Sequence, residues 1–386
     1  MDRKGRALTI AALGVFLCAC DPDSTPAPSL ERPSLEQPPP PAPQLPAEPA
    51  APPAPDVAEA APAPGPAENV LRVGPGEQYA RPSDAARAAK EGDVIEIAAG
   101  VYAGDTVCTT KSLTFRGIGG RAHFQAVPVP GKSWMEETGG QGPGCTGKGF
   151  LVLKGANYTV ENLEFSGAVS SSQNGAGIRL EHSGTVTIRN SYFHHNQNGV
   201  LGGKPGAEVV IEDSEFAFNG KGDGLTHNIY VSNIAKLVVR NIKSHHAKKG
   251  HLLKTRSRET HVIASQFYDG EDGNSSFQLD ISGGVAHVLG NHIQKGPLSA
   301  NAYTVLNYYT SRDPQGPHEL YVQGNTFISY HPIRGAFVRV RAGEADAVRG
   351  SIEGNTFLAK RGPGWNAKPP RPYDYNYKPI VALRTP

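Results

Sequence analysis

A short phrase recurs along most of the chain and constrains its fold more than any other feature. Alternating β-branched residues lead to an Asn or Asp, and three residues later an aromatic side chain often follows. Clear copies occupy 158–165, 186–193, 209–216 and 237–244, and looser ones end at Phe267, Ile293, Phe327 and Phe357. Successive copies lie 23 to 34 residues apart. Because one such unit cannot bury its own apolar face, this period predicts a solenoid of stacked coils.

The repeated aromatic and amide residues have a structural interpretation. Phe165, Phe193 and Phe216 occupy one place in the phrase, so we expect them to stack inside the solenoid. The Asn or Asp beside each of them suits a turn with left-handed backbone. Helical periodicity is confined largely to residues 82–91. The repeat therefore predicts strands and turns, with little helix.

The pattern resembles the right-handed parallel β-helix of the pectate-lyase-like superfamily. The opening segments 73–76, 92–97 and 99–102 resemble that family's first coil with its capping helix. The resemblance covers about residues 70–360. It implies an all-β fold, a single-stranded right-handed parallel β-helix of about ten coils with a short N-terminal capping helix. We assign this domain, with its C-terminal tail, to residues 68–386. The superfamily contains lyases, hydrolases, epimerases, esterases and non-enzymes, so the fold alone assigns no activity.

The first nineteen residues are typical of a secretory signal. A basic start at residues 3–6 precedes the apolar stretch 7–17, which is too short to span a membrane as a mature helix. The stretch ends in Leu17-Cys18-Ala19-Cys20, which resembles the bacterial lipobox. This resemblance implies cleavage before Cys20 and lipidation of that cysteine, whereas an ordinary signal would be cleaved nearby without a lipid. We expect the protein in the bacterial cell envelope, on the periplasmic or the surface side.

Residues 20–67 form a second distinct segment. They hold 17 of the 33 prolines, with Ala, Ser, Glu and Gln between them. This composition cannot bury a core and favours extended chain, so the segment is interpreted as a disordered linker that spaces the folded part from the membrane. Beyond it, Cys108 and Cys145 remain in an oxidising compartment, where two cysteines most often form a disulfide. Free buried thiols are the alternative.

Alignment of the coils on their Asn anchors places other side chains in register. One column faces inward and consists of Ile178, Ile229, Leu253 and Leu279. Since side chains alternate along a strand, the next residue of each coil faces outward. This outward column reads Arg179, Leu201, Tyr230, Lys254 and Asp280. Two residues further on, a second outward column reads Glu181, Ser232, Arg256 and Ser282. His227 and His251 precede their strands by two residues, near a turn.

This outward ladder suits an acidic polysaccharide. β-Elimination from a uronate needs a cation at the carboxylate, a base for the C5 proton and an acid for the leaving O4. We predict Lys254 as the base, if neighbouring cations and burial lower its pKa. Arg256 would bind the carboxylate through its bidentate fork, and Tyr230 or His227 would be the acid. The Lys and Arg resemble those of β-helical alginate and dermatan lyases. Further candidate substrate-binding residues are Arg179, Asn228, His251, Gln278 and Asp280.

Other interpretations of the ladder stay open, and whether the protein is an enzyme at all is undecided. Lys254 can simply pair with Asp280, and a groove that binds polysaccharide without cleaving it, or an envelope scaffold, would look the same. The aspartate and histidine motifs of β-helical polygalacturonases and the paired aspartates of pectin methylesterases are absent from the sequence. A glycoside hydrolase or C5 epimerase of this fold remains an alternative. The doublets His194-His195 and His245-His246 are expected to be solvent-facing turn residues.

Partners and cofactors follow from charge and composition. The formal net charge of +2 gives no field that would attract nucleic acid. We expect an acidic polysaccharide as the partner, membrane contact through the lipid alone, and a monomer. The pattern identifies no certain cofactor, and its metal ligands are unknown. The acidic segment 269–274 keeps Ca²⁺ open as an alternative, although such loops are more often simply solvated.

The lipid attachment is testable on the chain itself. In bacteria fed labelled palmitate, we expect the intact chain to incorporate label and the Cys20→Ala variant to lose it, because the modified thiol is gone. A Cys18→Ala variant is the matched control and should stay labelled. Equal labelling of the Cys20→Ala variant would contradict the lipobox assignment.

Overall fold

The structure is a computed structural model of the 386-residue chain. It describes residues 69–128, 130–131, 145–310, 316–332, 335–343 and 347–360, together with the backbone of two strands at 371–376 and 383–384. The predicted signal and linker lie outside these residues. The helical structure within them lacks the length and apolarity needed to cross a bilayer.

Each complete coil of the solenoid has three strands, which lie on three faces. Face 1 holds β1 (Val70–Val73), the start of β2 (Val94–Ala103) and of β4 (Leu113–Gln125), β6 (Tyr158–Glu161), β9 (Thr185–Arg189), β12 (Glu208–Glu212), β15 (Lys236–Arg240), β18 (Glu259–Ile263), β21 (Val285–Leu289), β24 (His318–Gln323), β27 (Val348–Glu353) and β30 (Leu383–Arg384). Face 2 holds the later parts of β2 and β4, then β7 (Leu163–Ser166), β10 (Tyr192–His194), β13 (Glu215–Ala217), β16 (Lys243–His245), β19 (Gln266–Tyr268), β22 (His292–Lys295), β25 (Thr326–Ser329) and β28 (Thr356–Ala359).

Face 3 forms a separate sheet of ten strands, one from each complete coil. It consists of β3 (Val107–Thr109), β5 (Leu151–Leu153), β8 (Ala176–Leu180), β11 (Asn198–Gly202), β14 (Ile229–Ser232), β17 (Leu253–Arg256), β20 (Leu279–Ile281), β23 (Leu306–Tyr309), β26 (Ala336–Arg341) and β29 (Arg371–Asn376). Neighbouring coils pair in parallel on every face. The solenoid predicted from the repeat, and the parallel β-helix that the resemblance implied, are therefore confirmed.

The phenylalanines of the repeat stack inside the solenoid, as predicted. The rings of Phe124, Phe165, Phe193 and Phe216 follow one another at centroid distances of 5.3, 5.0 and 4.6 Å. All four side chains are fully buried. The parallel register places each ring of this stack above its counterpart. The stack ends at Phe216, because Ser244 takes the ring's place on the next coil, before Phe267.

The Asn and Asp anchors lie at turns between faces 1 and 2. Asn162, Asn190, Asp213 and Asn241 have φ values of 56°, 48°, 47° and 51°, the left-handed region that short polar side chains tolerate. A second amide ladder, which the sequence did not single out, fills the turn between faces 2 and 3. There the Asn219 side-chain oxygen accepts a hydrogen bond from the Asn196 backbone N–H at 3.0 Å, so buried turn groups are satisfied from the neighbouring coil.

The N-terminal end has the predicted helix. Helix α1 (Pro82–Ala88) begins with a proline and buries Pro82, Ala85 and Ala86. Proline suits this first helical position because its missing N–H would have no partner there. A disulfide joins Cys108 on β3 to Cys145, which precedes β5, so the bond connects the first coils of face 3.

The buried phenylalanine column makes a stability prediction. We expect Phe193→Ala to lower the free energy of unfolding by about 3–5 kcal/mol, because it removes a fully buried ring and leaves a cavity. Leu225→Ala, at a side chain 65% exposed, should change it little. Denaturant unfolding followed by circular dichroism would measure both variants. Equal midpoints for the two would contradict the stacked core.

Candidate functional site

The face-3 ladder has the register predicted from the anchors. Leu201 pairs with Tyr230, Tyr230 with Lys254 and Lys254 with Asp280 on successive strands β11, β14, β17 and β20. The column continues beyond the predicted end, through Asn307 on β23 to Arg339 on β26. The inward column behind it is also confirmed, with Leu253 opposite Leu279. Parallel pairing therefore brings polar groups from distant sequence positions onto one surface.

Two cations share one aromatic ring at the centre of this ladder. The Lys254 Nζ lies 4.7 Å from the centroid of the Tyr230 ring, and the Arg256 guanidinium carbon lies 5.8 Å from it. All three side chains are half-buried. In the part of the chain that the structure describes, the Arg256 Nε is buried without a hydrogen-bond partner. The centre of the ladder is therefore positively charged and has unused donor capacity.

Two buried histidines lie beside this centre, one above the other. The His227 and His251 rings stack with centroids 4.6 Å apart. The His227 Nδ1 accepts a hydrogen bond from the His251 backbone N–H at 3.0 Å, and the His251 Nδ1 accepts one from the Phe277 N–H at 3.2 Å. Both neutral rings therefore carry their proton on Nε2. Burial is the largest cause that lowers the pKa of His227 well below 6.5 and that of His251 to about 3.

The carboxylate of Asp280 connects the histidines to the next coils. Its Oδ2 lies 3.7 Å from the His251 Nε2, and its Oδ1 accepts a hydrogen bond from the Asn307 amide at 2.8 Å. Asp280 is nearly inaccessible to solvent. Through these two contacts the carboxylate joins three neighbouring coils of the ladder. Direct contact of Asp280 or His251 with a ligand stays a prediction.

Three of the predicted site residues need correction, because burial removes them from the surface. His227 is fully buried edge-on to the Tyr230 ring, so it cannot reach a substrate as an acid. Asn228 faces the interior, where its amide nitrogen donates to the His245 carbonyl and its oxygen accepts from the Asn219 amide. Gln278 is equally buried and donates to Asp269 and Ser275. The alternation rule does not hold at these positions because they precede the strands.

Arg179 lies on the same column, with the Leu201 coil between it and Tyr230. Its Nη1 donates to Asn174 at 3.0 Å, and its Nε lies 3.5 Å from Glu181. Glu181 also receives a hydrogen bond from Lys148 at 2.5 Å. The guanidinium is thus already engaged on two sides, and substrate binding by Arg179 stays a prediction.

The acidic loop considered for calcium does not gather its carboxylates. Asp269 is fully buried and accepts hydrogen bonds from the Ser275 backbone and the Gln278 amide. Asp272 is directed instead to His246, whose Nε2 lies 3.0 Å away. Calcium needs six to eight oxygen ligands around one point. This loop therefore does not form a calcium site in the structure.

An open cleft of about 810 Å³ lies on face 2, away from the ladder. Tyr268, Tyr330, Gln266 and Gln294 are among its lining residues, together with Glu271. Aromatic rings and amides suit sugar rings and hydroxyl groups, and Lys360 also lines the cleft. A uronate carboxylate requires a cation, and face 3 holds two of them on one ring, Lys254 and Arg256. The cation cluster of face 3 is therefore the better match to an acidic polymer.

The alignment of the coils on their Asn anchors did not predict that Arg339 lies on this column, or that Asn307 donates a hydrogen bond to Asp280. The turns between face 2 and face 3 differ in length from coil to coil, so counting from the Asn anchors loses the register after Asp280. The expectation for the histidine doublets was also wrong in part. His194, His245 and His246 are at most partly exposed and contact carboxylates, while His195 is exposed.

Comparison with known proteins supports the fold. Residues 148–327 match the family model described as right handed beta helix region. No curated protein sequence matches the chain. The match covers a little under half of the chain, and it agrees with the strand topology that the fold is a right-handed parallel β-helix.

Several solved structures are similar to this chain. ORF18 of Geobacillus virus E2 has 11% identity and a TM-score of 0.45, over 76% of this chain and 55% of that one. Pectate lyase Pel9A has 13% identity and a TM-score of 0.42, over 82% of each chain. The A-module of the Azotobacter vinelandii mannuronan C-5 epimerase AlgE4 has 12% identity and a TM-score of 0.38, over 78% of this chain and 94% of that one. The chain thus spans about half the length of the viral protein, and likeness at this level assigns no activity.

The buried histidine pair predicts acid sensitivity. Unfolded histidines bind protons below about pH 6.5, whereas folded His251 stays neutral down to about pH 3. Over that window the unfolded state binds more protons, so stability falls as the pH falls, by up to about 1.4 kcal/mol per pH unit for one histidine. In His251→Asn, the side-chain oxygen can replace the Nδ1 acceptor without titrating.

Denaturant unfolding at pH 7, 5.5 and 4 measures this effect. We expect the loss of stability between pH 7 and 4 to be smaller in His251→Asn than in the unaltered chain, because the other titrating groups are common to both. The same loss in both proteins would show that His251 does not titrate on unfolding.

Proposed function

We propose that the face-3 ladder binds an acidic, uronate-containing polysaccharide and cleaves it by β-elimination. The observation that carries the proposal is the paired approach of Lys254 and Arg256 to the Tyr230 ring. A base, an anion-binding fork and a phenolic acid are thereby adjacent on one surface. These are the three functions that β-elimination needs.

The shape of the surface supports a polymeric substrate. The residues involved come from β14, β17 and β20, which are consecutive parallel strands. Coils repeat at about 4.8 Å, so the polar groups extend along the solenoid rather than into a closed pocket. An extended chain of charged sugars can lie along such a ladder and contact several coils at once.

The reaction assigns one role to each exposed member of the cluster. Arg256 binds the C6 carboxylate, which makes the C5 proton removable. Lys254, in its neutral form, takes that proton on its amine nitrogen. The electron pair left at C5 forms the C4=C5 double bond and expels O4, which takes a proton from the Tyr230 hydroxyl. His227 has no part in these steps and supports the Tyr230 ring from below.

The cellular setting is part of the same proposal. A lipid on Cys20 and a linker over residues 20–67 would hold the β-helix at the bacterial envelope. At about 3.1 Å per residue, a fully extended linker of this kind would reach on the order of 140 Å. The enzyme would then act on extracellular polysaccharide near the cell surface while remaining attached to the cell.

New ultraviolet absorbance from C4=C5 double bonds tests the proposal. The purified full-length chain is incubated with a panel of uronate polymers, with and without Ca²⁺. We expect turnover of one polymer, and a loss of about 10²- to 10⁴-fold in Lys254→Ala, because general-base catalysis contributes about that much. Lys236→Ala on face 1, where Lys236 pairs with Glu259 at 3.2 Å, is the control and should keep full activity.

Other results would overturn the proposal. Full turnover in Lys254→Ala would remove Lys254 from the mechanism. Retarded migration in a gel that contains the polymer, without any absorbance change, would identify a binding module instead of a lyase. Neither signal on any uronate polymer would reject an acidic substrate altogether.

A further inference from the structure

A second polar cluster lies on face 2, on different strands from the ladder. It consists of His123 on β4, Glu164 on β7 and His194 on β10, three consecutive coils of that face. The side chains are only 14%, 24% and 17% exposed. The reaction proposed for face 3 does not use any of them.

The three side chains converge on one carboxylate oxygen. The Glu164 Oε1 lies 3.0 Å from the His194 Nε2 and 3.5 Å from the His123 Nδ1. All three candidate ligand atoms lie within 4.8 Å of one another. Zn²⁺ binds histidine nitrogen and carboxylate oxygen at about 2.0–2.2 Å, which places neighbouring ligands of a tetrahedral site about 3.4 Å apart. The spacing therefore fits such an ion with little movement.

The outer nitrogen of each histidine already has a partner. The His123 Nε2 lies 2.8 Å from the Ser166 hydroxyl oxygen, and the His194 Nδ1 lies 2.9 Å from the His195 Nδ1. Metal-binding histidines almost always donate their second N–H in this way, which fixes the tautomer and the ring orientation. The Tyr192 ring also stacks on His194 at 4.4 Å. The cluster thus has ligands and the outer contacts that orient them.

The donor set indicates which kind of ion the cluster would bind. Two imidazoles and one carboxylate suit Zn²⁺ and neighbouring first-row ions better than Ca²⁺ or Mg²⁺, which prefer oxygen alone.

The other histidine doublet, His245-His246, is a comparison case in which two histidines do not contact the same carboxylate. His245 and His246 lie two coils further along face 2, with their Nδ1 atoms 2.7 Å apart. There, however, the His245 Nε2 contacts Glu215 while the His246 Nε2 contacts Asp272. The residue opposite Glu215 on the preceding coil is Tyr192, whereas Glu164 has His123 at that place, so a second histidine does not join Glu215. This doublet is therefore a natural control.

We infer that His123, Glu164 and His194 form a binding site for a first-row divalent ion such as Zn²⁺. Three protein ligands leave a fourth position for water or a ligand oxygen, the arrangement of catalytic rather than closed structural zinc sites. The site is independent of the activity proposed for face 3.

Cobalt and zinc titrations test the inference. The full-length chain, purified without a histidine tag and freed of metal by chelation, is titrated with Co²⁺ and followed by visible absorbance, which is strong for low-coordinate protein-bound Co²⁺ and weak for the aqua ion. Isothermal titration with Zn²⁺ gives stoichiometry and affinity. Variants Glu164→Gln and His194→Ala should lose the cobalt bands and about 100-fold or more in zinc affinity. The outer-contact variant Ser166→Ala should lose about 10- to 100-fold.

His246→Ala is the matched control and should keep both signals. Circular dichroism verifies folding, and the near-isosteric Glu164→Gln decides the question if His194→Ala does not fold. Absence of cobalt bands in the unaltered chain, zinc binding unchanged in Glu164→Gln, or equal loss in His246→Ala would each overturn the site. Metal binding at other places on the chain is common to all variants and cancels in the comparison.

Discussion

The parallel hydrogen bonding between successive coils is the constraint on which the whole structure depends. It fixes each residue opposite its counterpart one coil away, as Phe165 lies opposite Phe193 and Tyr230 opposite Lys254. The interior consequently contains columns of similar apolar side chains, and the side chains on the surface also form columns. A polar residue on one coil therefore lies beside the residue at the same place in the next coil, although the two are twenty or more residues apart in sequence.

This constraint explains why so much of the fold could be predicted from the sequence. The β-branched alternation recurs along the solenoid, and anchors with positive φ such as Asn162 and Asn190 mark the clear copies of the repeat, so one correct alignment gives the faces and the buried phenylalanines. The capping helix has a local signal in Pro82. Most of the solenoid is built from contacts within a coil and between neighbouring coils. Both kinds of contact follow from the spacing of the repeat in the sequence.

The surface sites could be predicted only in part, because turn length and side-chain reach vary from coil to coil. The column through Tyr230 and Lys254 was predicted correctly, whereas His227, Asn228 and Gln278 precede their strands and face inward. The face-2 cluster was missed altogether. His123 and Glu164 lie in register, but His194 lies two residues further along its strand, so Glu164 meets it diagonally. A diagonal contact of that kind depends on rotamers, which the sequence pattern does not specify.

The central claim is that face 3 contains the substrate site, and a crystal structure with a uronate oligosaccharide tests it most directly. The Lys254→Ala variant would keep the oligosaccharide intact during crystallisation. The account predicts sugar rings along β14, β17 and β20, with a carboxylate at the Arg256 guanidinium and an O4 near the Tyr230 hydroxyl. An oligosaccharide bound in the face-2 cleft beside Tyr268 and Tyr330, with face 3 bare, would contradict it.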